Sequence, residues 1–271
     1  MLADCPMTSR ASLSISSLTP EQYVVMAGLI SIALVSWWAT FSQIGPMMMD
    51  MASLSLDVVS LALFSSSWTV GMIAMMFPTA VPMMLMLVRV GRTSTPEIRS
   101  GGGPTLLKAL LFITAYIVVW AGVGVLFYIT LTGLSHMLQL GYFFDLLMSP
   151  TGTGVAFLIV GLYQLSPIKG ECAERCHPTN FIFKYYRGGA LGALEMGTFY
   201  AKFCVGCCWV MMLFLLLIAA MGPVWMVFFT LLIFLERAIV HVLWPSRLLG
   251  ILFLALGLLF LTGRSSFAFH L

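Results

Sequence analysis

The sequence predicts an all-α fold, a polytopic transmembrane helix bundle of about seven spans. Three observations predict it. Of the 271 residues, 61% are hydrophobic and only 8% are charged, whereas a soluble domain carries about a quarter charged residues. The apolar residues come in long runs, not in amphipathic stripes. The basic residues, finally, fall almost entirely on one side of those runs. A crossing needs roughly 20 apolar residues to cover about 30 Å of hydrocarbon, and what is left over fits only short loops. The chain therefore divides into a cytoplasmic N-terminal tail (1–22), one membrane domain (23–263) and a short outer tail (264–271).

The tail does not read as a cleaved signal peptide, because Asp4 and Arg10 sit among Ser and Thr with no charged stretch feeding a short apolar core. The expected spans are 23–41, 58–88, 106–131, 152–167, 190–221, 224–240 and 248–262. The second is longer than a bilayer requires and contains Pro78 and Pro82. A proline removes a backbone donor and clashes with the preceding turn, so this span is expected to kink or break.

Arg10 precedes the first span. Arg89, Arg92, Arg99 and Lys108 lie between the second and third. Lys169, Arg175, Lys184, Arg187 and Lys202 lie between the fourth and the start of the fifth, and Arg237 and Arg247 between the sixth and seventh. Only Arg264 falls on the other side, with Asp50, Asp57, His136 and Asp145. Cytoplasmic loops carry the basic excess. The expectation is therefore an N-terminus in the cytoplasm and a C-terminus outside.

Five of the six cysteines cluster. Cys172-Ala-Glu-Arg-Cys176-His177-Pro178 follows the fourth span, and Cys204-Val-Gly-Cys207-Cys208-Trp209 lies in the fifth; Cys5 stands alone in the tail. At 100° per residue, Cys207 and Cys208 lie within about 60° of Cys204 on a helix, so three thiols share a face. One helical turn would align Cys172 with Cys176. A loop folding back over the fifth span would gather up to five sulfurs with His177 beside them. Thiolate clusters suit Cu(I) or Zn(II). The start of the fifth span also offers a helix N-terminus, whose partial positive charge lowers a thiol pKa. The alternative is that these cysteines are small hydrophobes in a packed bundle. Glu195 lies about 180° from Cys204 on a regular helix and is expected to pack elsewhere. Glu236 with Arg237 closes the sixth span, either as an interfacial ion pair or as part of the site.

Trp68-Thr69, Ala74-Met75-Met76-Phe77-Pro78, Tyr163-Gln164-Leu165-Ser166-Pro167-Ile168-Lys169, the two cysteine groups, Gly197, Met221-Gly222, Trp225-Met226 and Glu236 occur in this order. Together they resemble a family of bacterial multi-pass proteins described as predicted metal-binding integral membrane proteins, some of them labelled copper chaperones. The resemblance covers about 68–237 and implies a bacterial inner (plasma) membrane location and a metal site at the cysteines. Two positions depart from the family pattern: His177 stands where an Arg is common, and Arg237 where a Lys is. The first change adds a possible ligand, and the second keeps the charge.

Twenty methionines are present, including the outer run Met47-Met48-Met49-Asp50-Met51 and, in the second span, Met72, Met75 and Met76. Thioethers bind Cu(I) without deprotonation, but methionine is also flexible apolar filler. Ala193, Gly197 and Ala201 recur every four residues on the face that continues to Cys204 and Cys208, and small residues at that spacing let another helix approach closely.

Walker, Rossmann and His-Glu-x-x-His patterns are missing, as is any nucleic-acid signature. Three functions remain open. The first is a membrane metal-binding protein for Cu(I) or Zn(II), with Cys172, Cys176, Cys204, Cys207, Cys208 and His177 as candidate ligands, serving copper handling, insertion or sensing. The second is a membrane thiol–disulfide oxidoreductase. The third is a non-catalytic accessory subunit of a larger membrane complex, one containing copper among the options. The expected partners are the lipid bilayer and a metallochaperone or membrane-complex protein.

Overall fold

Proline sets many of the helix starts in this chain. The computed structural model describes residues 19–52, 57–93, 105–138, 146, 149–218, 222–238 and 244–262; side chains of 43–52, 92–93, 135–138, 237–238 and 244–245 lie outside the description. All its elements are α-helices: α1 Pro20–Ala52, α2 Val58–Thr93, α3 Thr105–Leu138, α4 Pro150–Leu165, α5 Pro167–Cys176, α6 Pro178–Tyr185, α7 Gly189–Leu217, α8 Pro223–Ala238 and α9 Trp244–Leu261. Five begin on a proline, where the missing N–H is one of those a helix start leaves unpaired anyway. At α4 and α5 a serine caps the same turn: Ser149 accepts from the Gly152 N–H, and Ser166 from the Lys169 N–H.

Apolar helices occupy each of the seven expected runs. Four contain segments long and apolar enough to cross a membrane, namely Pro20–Ser42, Val58–Gly91, Thr105–Leu134 and Gly189–Leu217. The pair α4 and α5, bent by 60° at the Ser166-Pro167 step, passes as a fifth when taken together. Helix α8, with 16 residues, reaches only about 24 Å, and α9 is likewise short. Residues such as Leu34, Val35, Val118, Leu126, Leu162 and Ile251 point outward from the bundle. Exposed apolar faces on so many helices are compatible with a protein solvated by lipid.

Two expectations are corrected. The stretch after the fourth span is not a loop: Cys172 and Cys176 lie on one helix, α5, followed directly by α6. And of the kink or break expected at Pro78 and Pro82, the break does not occur: α2 is one continuous helix. Near the first of these prolines the Thr79 hydroxyl donates to the Met76 carbonyl at 2.7 Å. Packing by neighbouring helices lets proline persist inside apolar helices.

Three helix pairs frame the core. Trp68 of α2 donates its indole N–H to the Trp120 carbonyl of α3 at 3.2 Å, and Phe77 meets Tyr116 further along. Residue numbers thus rise along α2 as they fall along α3, so the pair is antiparallel. Gly124 makes room for the Trp68 ring, since a β-carbon there would lie 2.5 Å from Cδ1. Helices α3 and α7 run parallel, with Phe112 against Gly197 and Tyr116 against Tyr200. Helices α4 and α9 run antiparallel through glycine pairs. A β-carbon on Gly161 would sit 2.9 Å from the Gly250 carbonyl oxygen, and one on Gly154 would sit 3.1 Å from that of Gly257. Such close backbone approach is how apolar helices associate where burial from water drives nothing. Helix α7 is central, buried from Gly192 to Leu216 along one side.

Candidate metal centre

The stripe of small residues on α7 sets the site. Ala193 and Ala201 are buried, and a β-carbon on Gly197 would overlap the Phe112 carbonyl oxygen and lie 3.0 Å from the Ala115 side chain. Helix α3 can therefore seat directly on α7. One turn further on, the Tyr116 hydroxyl lies 3.1 Å from the Cys204 sulfur. From the other side, α2 brings the Met76 thioether to 4.0 Å from the same sulfur. Cys204 and Met76 are fully buried.

Cys207 and Cys208 both donate their thiol hydrogens to the Cys204 carbonyl, at 3.2 and 3.0 Å. This is the back-bonding to a preceding turn that small polar side chains make inside helices. Both thiols are thus tied to the backbone of Cys204.

The Ser166-Pro167 bend lays α5 along α7. Gly206 is where they touch: a β-carbon there would be 3.1 Å from the Cys172 sulfur. Tyr163, at the end of α4, donates its hydroxyl hydrogen to the Gly206 carbonyl and fixes the same junction. Cys176, the last residue of α5, is buried. His177 caps α6, and its Nδ1 lies 2.6 Å from the Thr179 hydroxyl.

Between these elements lies a cavity of about 100 Å³, whose walls include Cys176, His177, Cys207, Cys208, Lys169 and Glu236. It has room for about three water molecules. The cavity joins the two cysteine groups that the sequence places 28 positions apart at their inner members, Cys176 and Cys204. It does not take in all of them. Cys204 faces Met76 and Tyr116 instead, and Cys172 lies against Gly206. Among the described residues, no three His, Cys, Asp or Glu side chains converge closely enough to hold a metal ion. None of the five described cysteines is in a disulfide.

The family model described as PpoB2, copper chaperone, matches residues 65–260. The chain belongs to this family. No curated protein and no solved structure matches the chain. The PpoB2 match runs from α2 into α9 and includes Met76, Tyr116, every described cysteine and the cavity.

Two expectations about the candidate site are adjusted. Cys204 is not at a helix N-terminus: α7 starts at Gly189, about four turns earlier. The dipole effect fades within the first turn, so it does not act on these thiols. Glu236, expected either to pair with Arg237 or to belong to the site, is paired with Lys169 on the cavity wall, and the Arg237 side chain lies outside the described residues. The Lys169 ammonium donates to both carboxylate oxygens, at 2.7 and 2.9 Å, and Gln164 donates to one of them as well. The Lys169 side chain is 3% exposed and that of Glu236 13%. The signal for this pair was present in the sequence as Gln164 and Lys169 closing one apolar run and Glu236 closing another. Opposite charges at the ends of apolar runs need partners.

Glu195 does pack elsewhere, 2.6 Å from the Arg187 guanidinium. Trp209 is partly exposed and meets the Tyr163 ring edge-on at 5.7 Å. Cys5 and the side chains of Met47–Met51 lie outside the described residues.

Proposed function

We propose that the protein is a multi-pass inner-membrane copper-handling protein that takes Cu(I) at Cys207 and Cys208, with Cys172, Cys176, Cys204 and His177 in support. The carrying observation is the cavity at which α5 and α7 bring their cysteines to a common wall. The donor chemistry fits: buried thiols, with a thioether beside Cys204, are soft ligands that select Cu(I). Zn(II) fits less well, since a closed zinc site wants four ligands in a tetrahedron and the described residues gather no such group. Cu(I) is satisfied by fewer sulfurs. The family description also points to copper.

Seven crossings, with the N-terminus inside, are part of the same reading. Support comes from the helix directions. Alternating crossings require the second and third spans to be antiparallel, the third and fifth parallel, and the fourth and seventh antiparallel. The contacts of α2 with α3, α3 with α7 and α4 with α9 have those senses. The basic excess then faces the cytoplasm, and the cavity lies toward that side, near Lys169 and His177. On this reading the protein's partners are the bilayer and a metallochaperone or membrane-complex protein that gives or takes the ion.

The test is metal retention by purified protein with its thiols kept reduced. Offered Cu(I) and Zn(II), the wild type is expected to retain Cu(I), and a Cys207→Ser, Cys208→Ser double variant to lose it while keeping its fold. X-ray absorption should show sulfur around the copper. Equal retention by both proteins would make the cysteines packing or redox groups and end this reading.

A further inference from the structure

We propose that Lys169 is the counter-cation of the loaded site, that its ammonium favours a monovalent soft ion over a divalent one, and that Glu236 sets how strongly it does so. This rests on the Cu(I) reading above and names what tunes it. The pair lines the same cavity as Cys207 and Cys208. It is buried among apolar helices, where a charge is expensive and is kept for a reason. Gln164 and Lys169 together hold the Glu236 carboxylate on its own wall.

The charge balance gives the reason. Cu(I) held by two thiolates leaves a complex with one net negative charge, the two thiol protons having left. A divalent ion on the same two thiolates leaves none. In an apolar interior the uncompensated charge is the costly state. An ammonium across a cavity only about three waters in volume offsets that charge, and the Glu236 carboxylate opposes it. Lys169 therefore favours the Cu(I) complex and Glu236 disfavours it, while both act little on the neutral divalent complex. At an effective dielectric near 20, one charge at this range changes affinity by about tenfold or more.

A purely structural role predicts something else. Removing either member of a buried ion pair strands the other and destabilises the fold, so both variants would bind any metal more weakly. The two roles thus differ in sign.

The experiment measures Cu(I) affinity by competition with a colorimetric Cu(I) chelator, and Cd(II) affinity by its thiolate charge-transfer band, on the full-length protein. Lys169→Met is expected to weaken Cu(I) about tenfold or more and to leave Cd(II) nearly unchanged. Lys169→Arg should restore Cu(I). Glu236→Gln, which keeps the side-chain shape, should tighten Cu(I). If Lys169→Met does not assemble, the sign for Glu236→Gln decides alone. Glu236→Gln weakening Cu(I), or Lys169→Met shifting both metals equally, overturns the inference and leaves the copper reading standing. A wild type that retains no Cu(I) removes both.

Discussion

Gly197 of α7 lies so close to Phe112 of α3 that a β-carbon added to it would collide with the Phe112 carbonyl oxygen. The opposing atom is backbone, so it cannot swing away. Gly197→Leu should lower stability by about 1–3 kcal/mol, the range for overpacking. Thermal unfolding in detergent measures this. An unchanged melting temperature would mean that α3 does not seat there. Because the same contact sets Tyr116 beside Cys204, the variant should also disturb the thiol site.

The glycine pairs of α4 and α9 allow a contrasting case. At Gly257 a β-carbon would lie 2.9 Å from the Gly154 carbonyl oxygen, at the end of α4 away from α5. Gly257→Leu should therefore cost stability on the same scale yet leave Cu(I) retention unchanged. Loss of copper with this variant would show that the pair supports the cavity as well as the bundle.

The proposed orientation makes a labelling pattern. Cys172 is partly exposed, while Cys176, Cys204, Cys207 and Cys208 are buried. An impermeant thiol reagent should leave Cys172 untouched in intact cells and modify it once the cytoplasmic face is opened. The four buried thiols should react only after unfolding. Modification of Cys172 in intact cells would reverse the topology and favour oxidoreductase chemistry.

Acid should empty the site. Each cysteine that binds copper must first lose its proton, so metal and proton compete for the same sulfur. Occupancy is fullest at high pH and falls as pH falls. Copper retained after dialysis across a pH series checks the direction, and retention that rises in acid would point to thioether ligands, which carry no proton.

Much of this was legible in the sequence, and what was not has a physical cause. Apolar runs locate the helices because each must cover a fixed thickness of hydrocarbon. Four-residue spacing put Cys204 and Cys208 on the face of Gly197, and that face does meet a helix. Helix α5 was missed because its residues are polar, and periodicity of apolar residues is what reveals a helix. That α2 does not break at its prolines depends on packing that the single chain omits, since the helix is held from several sides by α1, α3 and others. The Lys169 partner of Glu236 was hidden for a related reason. Arg237 is next to Glu236 in sequence, but the partner, Lys169, arrives through the bend at Ser166 and Pro167, which is a tertiary fact. That Cys204 looks toward Met76, and not into the cavity, depends on how α2 lies across α7, and no spacing rule contains it.

Both Cys207 and Cys208 lend their hydrogen to one acceptor, the Cys204 carbonyl. A thiolate has no hydrogen to lend. Whatever captures either sulfur must therefore sever its tie to the backbone, and the main chain competes with the cargo for the same two atoms. On the copper-handling reading proposed above, stray ions that bind too weakly to break that tie are refused. Release is assisted in the same measure, because each sulfur that regains a proton has a partner waiting. A protein that handles copper in the way proposed needs both properties, to resist idle loading and to let go.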